Sequence, residues 1–219
     1  MDTVDTWDWS RFRGSAEDLK RLRRDLPGLD TVLRYVPGRT LAVQAGGNLG
    51  LWPKRLAVDF DRVLTFEPFP SNYAKLCHNA PEPNIYAEMV ALGDTTEGVA
   101  LDSQTRRDGR RKVNSGTVYV CGPGSTPCRR LDDLSLDVCD LLCLDVEGYE
   151  LHALRGAAET LGRCRPVVTV EVNAMLAAMG ITLPDVEAFF ASHQYRPATL
   201  TVEEQAGLQS DRLFIPCER

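Results

Sequence analysis

Residues 39–50, RTLAVQAGGNLG, constrain the fold of this chain more than any other stretch. An apolar run (Leu41, Ala42, Val43) enters a turn holding Gly46, Gly47 and Gly50. A helix-compatible run follows through Leu51, Trp52, Leu56 and Ala57. A strand that feeds a glycine turn and a helix N-terminus lets backbone approach a small ligand. The first N–H groups of a helix have no partner within it, and glycine removes the side chains that would block approach. The same geometry also serves as a plain tight connection, so the rest of the chain has to decide between the two.

Beyond the turn, apolar runs and helical periods alternate. Arg62–Phe66 reads as a second strand closed by Glu67-Pro68, and Ser71–Asn79 as a helix with Ser71 as its N-cap. Ile85–Leu92 reads as a third strand ending at Gly93-Asp94. Leu141–Leu144 is a continuous apolar run, as expected of a strand buried on both faces, and it ends in Asp145-Val146-Glu147-Gly148-Tyr149-Glu150. A helix to about Leu161 and a strand Val167–Val170, ending in Glu171-Val172-Asn173, come next. Helix Pro184–His193, strand Tyr195–Leu200, a polar loop and a last strand Arg212–Ile215 complete the chain. This rhythm predicts an α/β fold, a parallel sheet with helices on both faces.

Two segments stand outside it. Residues 98–131 are rich in Gly, Pro, Ser and Arg with short β-prone runs, and read as an inserted loop or hairpin facing the substrate. Residues 1–37 read as an N-terminal helical extension, two short helices split at Pro27-Gly28 and packed on the edge of the sheet of a 38–219 domain. Its basic cluster Lys20, Arg21, Arg23 and Arg24 alternates with leucines, which predicts a solvated helix face; contact with an anionic substrate is the alternative. Trp7 and Trp9 are expected to pin this arm to the core.

At 219 residues the chain can build one domain with a sizeable core. A net charge of −6 argues against a nucleic-acid backbone as main partner. No apolar run reaches bilayer length, and MDTVDTWDWS lacks a signal peptide's apolar segment, so a cytoplasmic location is expected. The seven cysteines show no CxxC spacing. Cys139 and Cys143 read as core residues, and a zinc site is not expected. Cys121 and Cys128 flank a turn that a disulfide would close, although thiols are favoured in the cytoplasm.

In open α/β sheets ligands bind beyond the carboxyl ends of the strands, so the polar residues there are the candidates. They are Gln44, Gly46, Gly47, Asn48 and Gly50, then Glu67, Gly93 and Asp94, then Asp145 and Glu147, then Glu171 and Asn173. Single acids in this set read equally as helix caps, but unpaired carboxylates are costly to bury and the whole set is poorly explained by packing. Glu67 is placed to accept hydrogen bonds from ribose hydroxyls. Spacing alone does not separate a nicotinamide dinucleotide from S-adenosylmethionine.

VQAGGNLG at 43–50, TFEP at 65–68, ALGD at 91–94 and LCLDVEGYELHALRGAAETL at 142–161 together resemble the FkbM family of S-adenosylmethionine-dependent methyltransferases. The resemblance spans residues 39–173, with LDVEGYE its most specific part. It implies the Rossmann-like class I methyltransferase fold, a seven-stranded mostly parallel sheet with helices on both faces and an antiparallel last strand. It also implies methyl transfer, usually to a hydroxyl of a sugar or small natural product. Where that family usually carries Asp, this chain has Gln44, which leaves the hold on the methionine end open. For such a reaction Asp145 or Glu147 is the expected base, with His152 an alternative. Asp145, Glu171 and Asn173 form a candidate set for Mg²⁺ or Ca²⁺. Asn114-Ser115-Gly116 is a candidate for closing over the methyl donor. An NAD-dependent oxidoreductase and a non-catalytic nucleotide-binding module are the competing functions, and oligomeric state is not readable.

Overall fold

A computed structural model describes residues 7–103, 106–107, 110–111 and 116–218. Strand β1, Leu41–Ala45, is buried at every position, so it needs apolar cover on both faces and lies at the middle of a sheet. Beside it run β2 (Arg62–Phe66) and β3 (Ile85–Glu88) on one side, and β10 (Leu141–Leu144) and β11 (Val167–Glu171) on the other, all parallel. Strand β13 (Asp211–Pro216) is antiparallel both to β11 and to β12 (Tyr195–Pro197), giving the sheet order β12-β13-β11-β10-β1-β2-β3. This is the seven-stranded sheet with a reversed last strand that the resemblance implies. The all-parallel sheet of dinucleotide enzymes lacks that reversal.

The period of two along each strand sorts the core into two layers. Leu41, Val43 and Ala45 of β1, with Leu142, Leu144, Val168 and Val170, face α4 (Glu150–Arg155), α5 (Ala158–Cys164), α6 (Ala174–Ala178) and α7 (Leu183–Ser192). Ala42, Val63, Leu141, Cys143 and Val167 face α1 (Ala16–Leu33), α2 (Leu51–Leu56) and α8 (Val202–Leu208). Helix α3 (Pro70–Asn79) follows β2 and buries Leu76 beside the glycine turn.

Several boundaries differ from the sequence reading. Helix α1 runs unbroken through Pro27-Gly28 instead of forming two helices. Its residues Leu29, Val32 and Leu33 lie on the face of the sheet, in the core with β1, β2 and β10, and not on its edge. Gly28 belongs to this packing, because a Cβ there would stand 2.7 Å from the Gly207 carbonyl oxygen of α8. Helix α3 starts at Pro70 with Phe69 as its N-cap, so Ser71 lies inside the helix. The expected single helix to Leu161 is α4 and α5, parted at Gly156-Ala157. The expected polar loop is α8, capped by Thr201 and Glu204 in a reciprocal capping box.

The expected third strand ends at Glu88. Ala91–Leu92, β4, turns away to pair with β9 (Cys128–Arg129). The insertion folds as an antiparallel pair, β5 (Val99–Ser103) with β8 (Val118–Pro123), and a smaller pair, β6 (Arg106–Arg107) with β7 (Arg110–Arg111). Val99, Val120 and Cys128 pack with Tyr149 in a small core of their own, which seats the insertion against the carboxyl end of the sheet. All seven cysteines are free; Cys121 is exposed and Cys128 buried. Among the described residues no helix is long and apolar enough to cross a membrane.

Candidate active site

The turn after β1 has two conformational requirements. Gly46 has φ +86°, and a Cβ on it would lie 1.7 Å from the carbonyl oxygen of Asp145. Only glycine lets the turn and the end of β10 come this close. The amides of Gly46 and Gly47 both donate to the Phe66 carbonyl, at 2.9 and 3.0 Å, so they fasten the turn to β2 and do not point at a ligand. Gly50, at φ +85°, packs against Leu76 of α3. The glycines therefore create close approach, not a row of free donors.

Gln44 acts in the same way. It is buried, and its Nε2 donates to the carbonyls of Gly46 (2.8 Å) and Ala45 (3.2 Å) while its Oε1 accepts from the Thr65 hydroxyl (2.6 Å). Its amide thus ties the turn to itself and to β2. Gln44→Asp is expected to destabilise the fold by about 2–4 kcal/mol, because a carboxylate cannot donate to the two carbonyls and would be buried without a cation. Thermal unfolding measures this; unchanged stability would contradict the role given to the amide.

Glu67 closes the next strand. It is 5 % exposed, and its carboxylate accepts from the backbone N–H of Asn48 (2.7 Å) and of Phe69 (2.9 Å). Burial pushes its pKa up to about 7; the two N–H donors oppose that rise, and the charge of Asp145 adds to it. A further hydrogen bond from the Asn72 side chain also opposes the rise, and Glu67 lines a cavity of about 570 Å³ including its mouth. Ala45, Gly46, Asn48, Phe66, Asp145 and Glu147 line its floor, and Leu92, Leu101, Val118, Val120 and Tyr149 its apolar walls. The insertion thus supplies one wall of the cavity that holds Glu67.

A second, larger cavity of about 1030 Å³ including its mouth opens on the α1 and α8 side of the same strand ends. Gln44, Gly47, Thr169, Glu171, Gln209 and Asp211 are among its lining residues. Gly46, Asn48 and Asp145 line both cavities. Asp145 is exposed to them, and its backbone N–H donates to the Ala45 carbonyl at 3.1 Å.

The acids past β10 and β11 converge. Asp145, Glu147 and Glu171 bring carboxylate oxygens within 4.8 Å of one another. Burial first, then the charges of Asp145 and Glu147 and a hydrogen bond with Asp145, raise the Glu171 pKa far above the usual carboxylate range, so this group holds a proton at neutral pH. Asn173 does not complete a three-ligand set with Asp145 and Glu171. Its Oδ1 caps α6 through the N–H groups of Met175 (2.8 Å) and Leu176 (3.3 Å), and its Nδ2 donates to Glu171 at 2.6 Å.

Other candidates stand apart from the cavities. Gly93 packs under Tyr149. Asp94 meets His152 Nδ1 at 2.9 Å, and His152 stacks on Tyr149, so this pair braces α4 on its outer side. Trp7, Trp9 and Phe12 pack around Leu26, Leu49 and Leu51, pinning the arm behind the glycine turn. Arg24 of the basic cluster reaches the rim of the second cavity. Asn114 and Ser115 lie outside the described residues.

Glu150 was visible in LDVEGYE but had no assigned role. It is 1 % exposed, and its Oε1 accepts from the N–H groups of Val146 (3.0 Å) and Gly148 (3.2 Å), which holds the 145–149 loop with Glu147 at φ +53°. Burial pushes its pKa up to about 7. An acid opening a helix reads locally as a dipole partner; only the tertiary structure shows that it is buried under the loop.

Comparison with known proteins agrees with this architecture. The model of the Methyltransferase FkbM domain matches residues 56–197. The match begins after the glycine turn and contains Glu67, Asp145, Glu147 and Glu171. The FkbM methyltransferase of Methylobacillus flagellatus KT superposes with a TM-score of 0.51 at 15% identity, over 94% of this chain and 56% of that one. This chain therefore spans little more than half the length of that protein. Magnesium protoporphyrin IX methyltransferase from Synechocystis PCC 6803, solved with bound SAM, superposes with a TM-score of 0.51 at 9% identity, over 99% of this chain and 92% of that one. No curated protein sequence matches significantly. At these identities the structural likeness establishes the fold alone, which is that of the class I methyltransferases. With the domain match covering well over half of its length, the chain belongs to the FkbM methyltransferase family.

Proposed function

We propose that this chain is an S-adenosylmethionine-dependent methyltransferase that acts on a hydroxyl oxygen of a sugar or small natural product. The observation that carries the reading is that Asp145 lines two cavities at once, with the apolar-walled one on its β2 side and the polar one on its β11 side. In this reading the first cavity takes the donor's nucleoside, with its apolar walls against the base and the Glu67 carboxylate toward the ribose hydroxyls. Bound there, S-adenosylmethionine supplies an already activated methyl group.

The chain's own task is alignment and proton removal. The Gly46–Asn48 turn and the loop held by Glu150 fix the two reactants against each other, and such alignment alone contributes several powers of ten. Asp145, exposed at the junction, accepts the hydroxyl proton as the oxygen–methyl bond forms; Glu147, which lines the first cavity only, shapes the field around it. Asp145, Glu147 and Glu171 stand close enough together to hold a divalent ion, but no step of this reading passes through one. EDTA is expected to leave the rate unchanged.

Calorimetric titration with S-adenosylhomocysteine and with NAD tests the reading. Micromolar binding of the first and none of the second is expected. Micromolar NAD binding without a response to S-adenosylhomocysteine would overturn it. In a screen of hydroxylated acceptors, Asp145→Asn is expected to slow transfer about 10²–10⁴-fold with donor affinity retained. Cofactor binding with no turnover on any acceptor would favour a nucleotide-binding module.

A further inference from the structure

The second cavity holds features that the donor does not account for. Thr169 is 2 % exposed and lines the cavity, and among the described residues its Oγ1 has no hydrogen-bond partner. A buried hydroxyl of this kind costs free energy unless something accepts or donates to it. Farther along the wall, Glu171 of β11 and Asp211 of β13 stand directly opposite each other in the antiparallel register. Glu171, whose oxygens accept from Asn173 Nδ2 (2.6 Å) and the Ser210 hydroxyl (3.2 Å), is kept protonated by burial and by the charges of Asp145, Glu147 and Asp211, so a cation placed beside it is favoured by that field. Arg24, exposed and 3.4 Å from Gln209, is the one cation among the described lining residues. The inner wall is therefore acidic and hydroxyl-binding, while Trp52, Leu51 and Leu208 give it an apolar side.

We infer that this cavity is the acceptor site and that its acceptor is a sugar-sized polyol carrying an amine, with the ammonium held between Glu171 and Asp211 and a hydroxyl on Thr169. The inference rests on the methyltransferase reading and adds the class of acceptor to it. Held between two carboxyl groups, the amine stays protonated and has no lone pair, so nitrogen cannot attack. The neighbouring hydroxyl at Asp145 is then the nucleophile. Its O–H proton passes to Asp145, the new O–CH₃ bond forms, and the electron pair of the broken S–CH₃ bond stays on sulfur. The ammonium leaves the reaction as it entered.

The test is calorimetry on the full chain saturated with S-adenosylhomocysteine, using matched probes: glucosamine against glucose, and 2-amino-1,3-propanediol against glycerol. Each amine is expected to bind at least about tenfold more tightly than its neutral twin, as a charge-assisted hydrogen bond warrants. In Asp211→Asn, and separately in Glu171→Gln, that preference should fall several-fold while S-adenosylhomocysteine affinity holds. Thr169→Val should weaken both members of each pair and keep the fold, since it removes a buried hydroxyl with no partner among the described residues. Equal binding within pairs, no binding of any probe, or tighter binding of glucuronate would overturn the inference and leave the methyltransferase reading standing. A wild-type chain that does not bind S-adenosylhomocysteine would overturn both.

Discussion

Gly46→Ala is expected to remove S-adenosylhomocysteine binding and to destabilise the fold by more than about 3 kcal/mol. Two costs add. A residue with a Cβ at φ +86° loses about 1–2 kcal/mol relative to glycine. The Cβ would also lie 1.7 Å from the Asp145 carbonyl oxygen, a contact that no rotamer relieves because the backbone fixes the Cβ and its partner is main chain. The turn and the end of β10 must separate, which breaks the hydrogen bond from the Asp145 N–H to the Ala45 carbonyl and moves Asp145, which lines both cavities. Gly162→Ala is the control. Its Cβ meets nothing within 4 Å, and it lies inside α5, so it should be neutral or stabilising by up to about 1 kcal/mol. Chemical denaturation measures both. Equal effects of the two substitutions would contradict the close approach assigned to Gly46.

Glu67 is expected to make donor binding depend on pH. Its carboxyl titrates near 7 because it is buried, and only the ionised form accepts from two ribose hydroxyls while keeping both backbone donors. Donor affinity should therefore be about tenfold weaker at pH 6 than at pH 8, the loss expected when a proton must leave a group of pKa about 7. The stability linkage has the opposite sign. A carboxyl raised from 4.5 in the folded state contributes fully below about pH 4.5, and that contribution is lost as pH rises through 7. Without donor the chain thus carries a penalty at pH 8 that donor binding offsets. Glu67→Gln should weaken S-adenosylhomocysteine by about ten- to a hundredfold at pH 8 and flatten this part of the profile. A wild-type affinity that is level between pH 6 and pH 8 would contradict the role of Glu67.

What could be read from the sequence follows from which forces are local. The strands β1, β2 and β10 were legible because each is a run of apolar residues long enough for one strand and closed by a turn signal or an acid. Glu67 and Asp145 were legible because they end such runs. Helix α1 was misread at Pro27-Gly28, where two helix breakers stand together. Proline lacks an N–H and glycine is a weak helix former, yet the glycine is what lets α8 approach. Helix α8 was missed because TVEEQAGL is mostly polar. Its signal was Thr201 with Glu204 three residues on, a capping box that hydrophobic periodicity does not register.

The second cavity was the least legible. Thr169, Glu171 and Asp211 become neighbours only through the antiparallel pairing of β11 with β13, separated by about forty residues of chain. No local pattern carries that register. Gln44 shows the converse. As a departure from the family's Asp it suggested a change in how the donor is held, whereas the structure commits all of its amide to the turn and to Thr65.

A crystal structure with S-adenosylhomocysteine bound tests the central claim most directly, that donor and acceptor cavities meet at Asp145. The predicted result places the ribose hydroxyls on Glu67, the base between Phe66 and the wall formed by Leu101, Val118 and Val120, and the sulfur toward Asp145, with the second cavity still open beyond it. A nucleoside seated in the second cavity, or a sulfur directed away from Asp145, would contradict it.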